Sequence, residues 1–196
     1  KYLYRFIPQS RRYVDDYPSM NLSVLKKEFL HIGGFDSNFW PGEDTKLCLD
    51  LVTKTNKKII YNPSAIVYHH RRPIWYSHLR QNGNFGLHRG FFARVLPQTS
   101  FRLIYFFPSL LLLLFVSSPL ISSLATQFTL FVIVQNLYLF FIFAYLLMLF
   151  TNATWIYHYS KNLFQSVLSM PVIFITHIWY GYRFLQGLLF TDKLEQ

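Results

Sequence analysis

Two stretches of the chain are apolar throughout, LIYFFPSLLLLLFVSSPLISSLA (103–125) and FTLFVIVQNLYLFFIFAYLLMLF (128–150). As helices rising 1.5 Å per residue, each covers more than the roughly 30 Å of a bilayer's hydrocarbon core, so both are predicted to span a membrane. Pro108 and Pro119 fall toward the ends of the first stretch, where a missing backbone donor disturbs fewest intrahelical bonds. Only Thr126 and Gln127 separate the two, which predicts an antiparallel hairpin. A third apolar stretch, Leu163 to Phe190, is interrupted by Pro171, His177, Gly181, Arg183 and Gly187. It predicts a tilted span with Arg183 snorkelling, or a helix lying in the interface. Residues 151–162 are then the segment that returns between the second and third stretches.

Before residue 103 the pattern is short-range and mixed. Ser23 is placed to cap a helix from Val24 to about His31, and Gly33-Gly34 are placed to end it at positive φ. Over 44–55, Leu47, Cys48, Leu51 and Val52 recur on one face of a second helix. Lys58–Tyr61 and Ala65–Tyr68 read as strand-like runs around the turn Asn62-Pro63-Ser64. After Pro73, residues 74–95 predict an amphipathic helix leading to the membrane, although Gly83, Gly86 and Gly90 weaken its intrinsic propensity. The expected fold class is therefore α/β for the first part, followed by an all-α membrane region of two to three helices.

Charge sharpens this division. The formal net charge is +10, yet between Leu103 and Phe190 only Lys161 and Arg183 are charged, so the composition breaks near Arg102. No Asp or Glu occurs between Asp50 and Asp192, while Arg71, Arg72, Arg80, Arg89, Arg94 and Arg102 precede the first apolar stretch. A basic run beside a hydrophobic span marks a cytoplasmic flank rather than a nucleic-acid face, and places the 126–127 turn outside. The run either faces lipid headgroups or binds an anionic substrate, and the two roles are compatible. Asn152-Ala153-Thr154 fits a glycosylation acceptor pattern, but on this topology it faces the cytoplasm. A single cysteine, Cys48, excludes an intrachain disulfide. The chain begins at Lys1 without a signal-peptide pattern, as expected of a piece whose N-terminal part is elsewhere.

Three groups of residues carry candidate chemistry. Glu43-Asp44 follows Trp40-Pro41-Gly42 at a predicted helix start, where the macrodipole favours negative charge; on position alone this suits a helix cap. His69-His70 ends the second strand-like run, either as a metal ligand or as surface histidines beside Arg71-Arg72. Gln81, Phe85, His88 and Arg89 share one helical face, suited to packing a sugar ring and donating to hydroxyls or diphosphate, or to an interfacial helix with snorkelling cations.

Taken in order, Asn21-Leu22-Ser23, Gly33-Gly34-Phe35-Asp36, Pro41-Gly42-Glu43-Asp44-Thr45-Lys46-Leu47-Cys48, Tyr61-Asn62-Pro63 and Val67-Tyr68-His69-His70 resemble the family-2 glycosyltransferases. The resemblance implies that residues 1–72 are the C-terminal part of a GT-A nucleotide-sugar domain, 73–101 an interface helix and 102–196 a transmembrane region. It further implies that Asp44 is the base deprotonating an acceptor hydroxyl in an inverting transfer, with Glu43 beside it at the acceptor site. His69 becomes a ligand for a divalent metal, Mg or Mn, and Gln81 with Phe85 is similar to a Gln-x-x-x-Trp acceptor motif. The run His177–Gly187 loosely resembles the terminal membrane segment of such enzymes, its glycines permitting close helix packing.

The expected partners are a nucleotide-diphosphate sugar, a lipid-linked or glycan acceptor and the membrane, but no nucleic acid. The expected location is the cell membrane, multi-pass, with the catalytic region cytoplasmic. Asp15-Asp16 is an adjacent pair and comes too late in the family order to serve as the metal-binding Asp-x-Asp, so the chain is expected to lack a donor site and to be inactive alone. The alternatives are a non-enzymatic membrane scaffold and a small transporter subunit.

Overall fold

The computed structural model describes residues 10–68, 75–125 and 129–194. Its elements run β1 (Arg12–Val14), α1 (Lys26–His31), α2 (Glu43–Thr55), β2 (Ile59–Tyr61), α3 (Tyr76–Val95), α4 (Pro97–Ser100), α5 (Leu103–Val116), α6 (Ser118–Ala125), α7 (Thr129–Ser160) and α8 (Leu163–Phe190). The expected α/β class is thereby overturned. The described chain is an all-α fold with helices that could cross a membrane, not an α/β GT-A domain. Its only sheet among the described residues is one antiparallel ladder pairing Arg12 with Tyr61, Tyr13 with Ile60 and Val14 with Ile59. Ala65–Tyr68 is extended and exposed but joins no ladder. Ile66, Val67 and Tyr68 suit a strand by composition, but strand pairing is a tertiary property, and the edge of β2 that pairs does so with β1.

The short helices follow local chemistry. α1 ends where Gly33 (φ 91°) and Gly34 (φ 75°) turn the backbone left-handed, and the Gly34 N–H returns to the Phe29 carbonyl at 2.9 Å. α2 begins at Glu43, one residue before the predicted start, and buries Leu47, Cys48 and Leu51, with Val52 only half-buried.

In the apolar region the helices differ from the expected pair. Phe131–Ser160 and Leu163–Phe190 are long and apolar enough to cross a membrane, whereas the first stretch is two helices, α5 and α6, bent by 48°. The break follows Val116, in the run Ser117-Ser118-Pro119: proline offers no N–H, and the Ser117 hydroxyl donates to the Leu114 carbonyl at 3.2 Å. Residues 151–160 form no return segment; they extend α7 to Ser160, and Lys161 (φ 54°) with Asn162 makes the turn into α8. The Asn162 side chain caps α8 by accepting from the Gln165 N–H at 3.0 Å.

α7 and α8 form a hairpin. Its core joins Leu111 of α5 to Tyr145 and Leu149 of α7, with Phe115, Ile173 and Phe174 packed against them. Tyr145 and His177 meet through a 3.0 Å hydrogen bond close to the middle of both helices. That pairing satisfies two polar groups which would be costly apart in hydrocarbon.

The tightest packing joins α3 to α8. A Cβ on Gly86 would stand 2.6 Å from the Tyr180 carbonyl oxygen, one on Gly90 would strike the Phe184 carbonyl and come within 2.9 Å of the Leu188 nitrogen, and one on Gly187 would strike the Leu87 carbonyl. On another side of α8, Gly181 lies against the Pro108 carbonyl of α5, and the Ser109 hydroxyl donates to the Gly181 carbonyl at 3.0 Å. The glycines that weaken α3 as an isolated helix are thus what lets it approach α8 backbone to backbone. His78 Nε2 reaches Thr176 Oγ1 at 3.0 Å near the start of the same contact. The Thr176 hydroxyl donates to the Val172 carbonyl at 2.7 Å, so the imidazole is the donor in that bond.

These contacts separate two otherwise similar substitutions. Gly90→Ala presses a methyl group on backbone that cannot yield, and is expected to cost about 1–3 kcal/mol. Gly83→Ala strikes the Trp179 indole, a 38% exposed side chain that stacks on Tyr182 and carries Arg183, so it yields at less cost than backbone, and the substitution gains about 1 kcal/mol of helix propensity. Thermal unfolding in detergent should show a clear drop in Tm for the first and a smaller drop for the second.

Candidate functional site

The acidic pair opens α2 on the turn Trp40-Pro41-Gly42, whose Trp40-Pro41 peptide bond is cis. The turn is held from below. A Cβ on Gly42 would come within 2.8 Å of the Phe92 ring and 3.0 Å of His88 Cδ2, so the chain passes there against α3 with no room for a side chain. Phe92 is fully buried and packs with Phe39, His88 and Phe91, while Leu194, beyond the end of α8, closes the cluster. The start of α2 therefore rests on the part of α3 that is itself fixed to α8.

Asp44 is fixed by backbone. Its Oδ1 accepts the Thr45 N–H at 2.8 Å and its Oδ2 accepts the Ser19 N–H at 3.2 Å, which sets the carboxylate plane and leaves further lone pairs available. Beside it, Glu43 Oε2 is shielded from solvent and has no hydrogen-bond partner among the described residues. A buried unpaired carboxylate oxygen is expensive, and Asn152 Oδ1 is the other buried side-chain atom left so among the described residues.

The four residues expected to share an open face of α3 have different fates. Phe85 is 44% exposed, and its ring meets the His88 ring edge-on at 5.7 Å. His88 is buried, and its Nδ1–H donates to the Asn84 carbonyl at 3.1 Å. Burial, with the neighbouring Arg89 charge second, pushes its pKa down to about 3. Arg89 is engaged rather than free: its guanidinium donates to Asp16 and, at 3.2 Å, to Ser100 Oγ, and lies 4.8 Å above the Tyr105 ring centroid. Gln81 is half-buried two turns before His88, about 10 Å along the axis. The structure thus sets the turn before Glu43-Asp44 on His88 and Phe92, links Arg89 to the start of α2 through Asp16, places Phe85 mid-helix against the His88 ring, and leaves Gln81 a turn further back. His69 lies outside the described residues, and among those described no group of three or more His, Cys, Asp or Glu side chains converges as a metal site.

Two features went unrecognised in the sequence. Trp40, 45% exposed immediately before the cis proline, adds a second exposed aromatic close to the acidic pair. Asp16 accepts from Thr45 Oγ1 at 3.1 and 3.3 Å and pairs with Arg89. Its partners lie 29 and 73 residues away, which no local spacing reveals. A cleft of about 420 Å³ lined by Tyr17, Asn21, Glu28, Lys57, Lys58 and Tyr61 among others is a separate concavity that excludes the acidic pair.

The buried imidazole gives a pH signature. An unfolded histidine titrates near 6.5 while His88 stays neutral to about 3, so on acidification the unfolded state takes up the proton first. Stability is therefore lost as pH falls below about 6.5, by about 2 kcal/mol between pH 7 and 5. His88→Gln should flatten that part of the profile in unfolding measurements across the range. Comparison with family models, with curated proteins and with solved structures finds no match to this chain.

Proposed function

We propose that this chain is the acceptor-side and membrane portion of an inverting glycosyltransferase, in which Asp44 takes the proton from an acceptor hydroxyl as a sugar is transferred from a nucleotide-diphosphate donor. The observation that carries the reading is the acidic pair: a carboxylate oriented by two backbone N–H groups, next to a shielded Glu43 oxygen lacking a partner. A general base has to sit at a defined angle within hydrogen-bond reach of the hydroxyl, which the two backbone N–H groups on Asp44 provide. The resemblance of Pro41–Cys48 and its companion motifs to family-2 glycosyltransferases points to the same chemistry, without the GT-A fold that the described residues lack.

Exposed Trp40 and Phe85 offer rings against which a sugar can pack. Arg89, already committed to Asp16, is a structural cation in this arrangement and no longer a candidate for the donor diphosphate. The described residues assemble no site for the divalent metal that the resemblance implies.

The acceptor is proposed to be lipid-linked or membrane-proximal, because the acidic pair rests on a helix packed along α8. α7 and α8 are proposed to cross the membrane, with the acidic pair on the cytoplasmic side. The Lys161-Asn162 turn stands at the far end of α8 from Phe184, about 33 Å along the helix, and so belongs on the opposite side.

In membranes containing the full-length protein, Asp44→Asn should lower sugar transfer by about 10²–10⁴-fold while leaving the protein's abundance and membrane fractionation unchanged. Transfer within tenfold of the parent would remove Asp44 as base. In a Cys48→Ser background, cysteines at Lys57 and Lys161 should react with an impermeant maleimide from opposite faces of sealed vesicles. Reaction from the same face would show that α8 does not cross.

A further inference from the structure

Asp15 and Asp16 are unsuited to a metal motif, yet the segment from Asp15 to Ser19 lies across the first turn of α2 and touches it at three successive points. Asp16 accepts from Thr45 Oγ1, the Ser19 N–H donates to Asp44 Oδ2, and the Tyr17 carbonyl accepts from the Cys48 thiol at 3.6 Å. From its other side the same segment is tied to the helices leading into the apolar region. Asp16 pairs with Arg89 of α3, and Asp15 pairs with Arg102 at the start of α5.

The two pairs are unequal. The Asp16 and Arg89 side chains are 17% and 16% exposed, and Arg89 is further held by Ser100 and Tyr105, so their attraction is little screened. Asp15 and Arg102 are 64% and 42% exposed, the class of ion pair that contributes little. We infer that Asp16 is a positioning residue, the anchor of a strap that locks the first turn of α2, and with it Asp44, to Arg89 of the α8-bound helix α3. Its role in transfer rests on the function proposed above; the strap itself does not.

Cys48, the sole cysteine, reports on the strap without any assumption about activity. The thiol lies fully buried beneath Tyr17, and burial pushes its pKa up to about 11, so maleimide should reach it only when the strap opens. In the full chain in detergent, Asp16→Ala and Arg89→Gln should each speed N-ethylmaleimide labelling of Cys48 about tenfold or more, since each removes a charge-assisted hydrogen bond from a shielded site. The double variant should label no faster than the quicker single, as expected of two halves of one interaction. Asp15→Asn should change the rate less than about threefold. Ala153→Cys in a Cys48→Ser background, buried in the α7–α8 hairpin, should stay slow with and without Asp16→Ala, separating a local opening from global unfolding.

Unchanged Cys48 labelling in Asp16→Ala, or a parallel rise at residue 153, overturns the strap. In transfer assays on the full-length protein, Asp16→Ala should lower kcat by about tenfold or more with KM held within about twofold, because a displaced base impairs the chemical step rather than binding. An unchanged kcat overturns the positioning role. Absence of transfer by the parent protein counts against the glycosyltransferase reading and leaves the labelling to decide the strap.

Discussion

The backbone approach of α3 to α8 is the contact from which the rest of the arrangement follows. Two helices normally keep their axes 8–10 Å apart because side chains stand between them. Here Gly86, Gly90 and Gly187 remove those side chains where Tyr180, Phe184 and Leu87 present main-chain carbonyls. Once α3 is seated, Phe92 and His88 form a fixed floor, Gly42 is pressed onto it, and the α2 N-terminus has one place to go. A chain of close contacts thus runs from an apolar helix to a carboxylate pair, and each link is made by a glycine or a ring, which have few conformations to lose.

Polar groups within this arrangement are largely satisfied in pairs. Tyr145 meets His177, His78 meets Thr176, Ser109 meets the Gly181 carbonyl, and Arg89 meets Asp16 and Ser100. Where water is excluded, each pairing avoids a desolvation cost larger than the bond itself would contribute in water. Glu43 Oε2 and Asn152 Oδ1 stand out against that background, since neither has a partner among the described residues.

What was legible in the sequence was governed by local rules. The helix 74–95, the helix opening at the acidic pair and the stop at Gly33-Gly34 all depend on neighbours within a few residues, and the structure places them within two residues of expectation. The sheet was misjudged because Ala65–Tyr68 has a strand-like composition but joins no ladder, and pairing is a tertiary property that composition does not fix. The first apolar stretch is hydrophobic enough to span, yet composition does not show that Ser117 and Pro119 break it after Val116. In the same way Arg89 reads as an available cation until Asp16, 73 residues earlier, is seen to occupy it.

That occupation changes what the chain's charge means. Of the arginines crowding the approach to the apolar region, Arg89, Arg94 and Arg102 each face a carboxylate, from Asp16, Asp192 and Asp15. The acidic partners come from the two extremes of the described chain, so the neutralisation exists only once the helices are assembled. The formal +10 already counts these carboxylates, so pairing does not lower the total but places three of them beside the arginines next to the apolar region, and the remaining field decays within about 10 Å at 0.1 M salt. For helices long and apolar enough to cross a membrane, hydrocarbon contact outweighs such a screened surface field, unlike the case of a peripheral protein held by a basic patch.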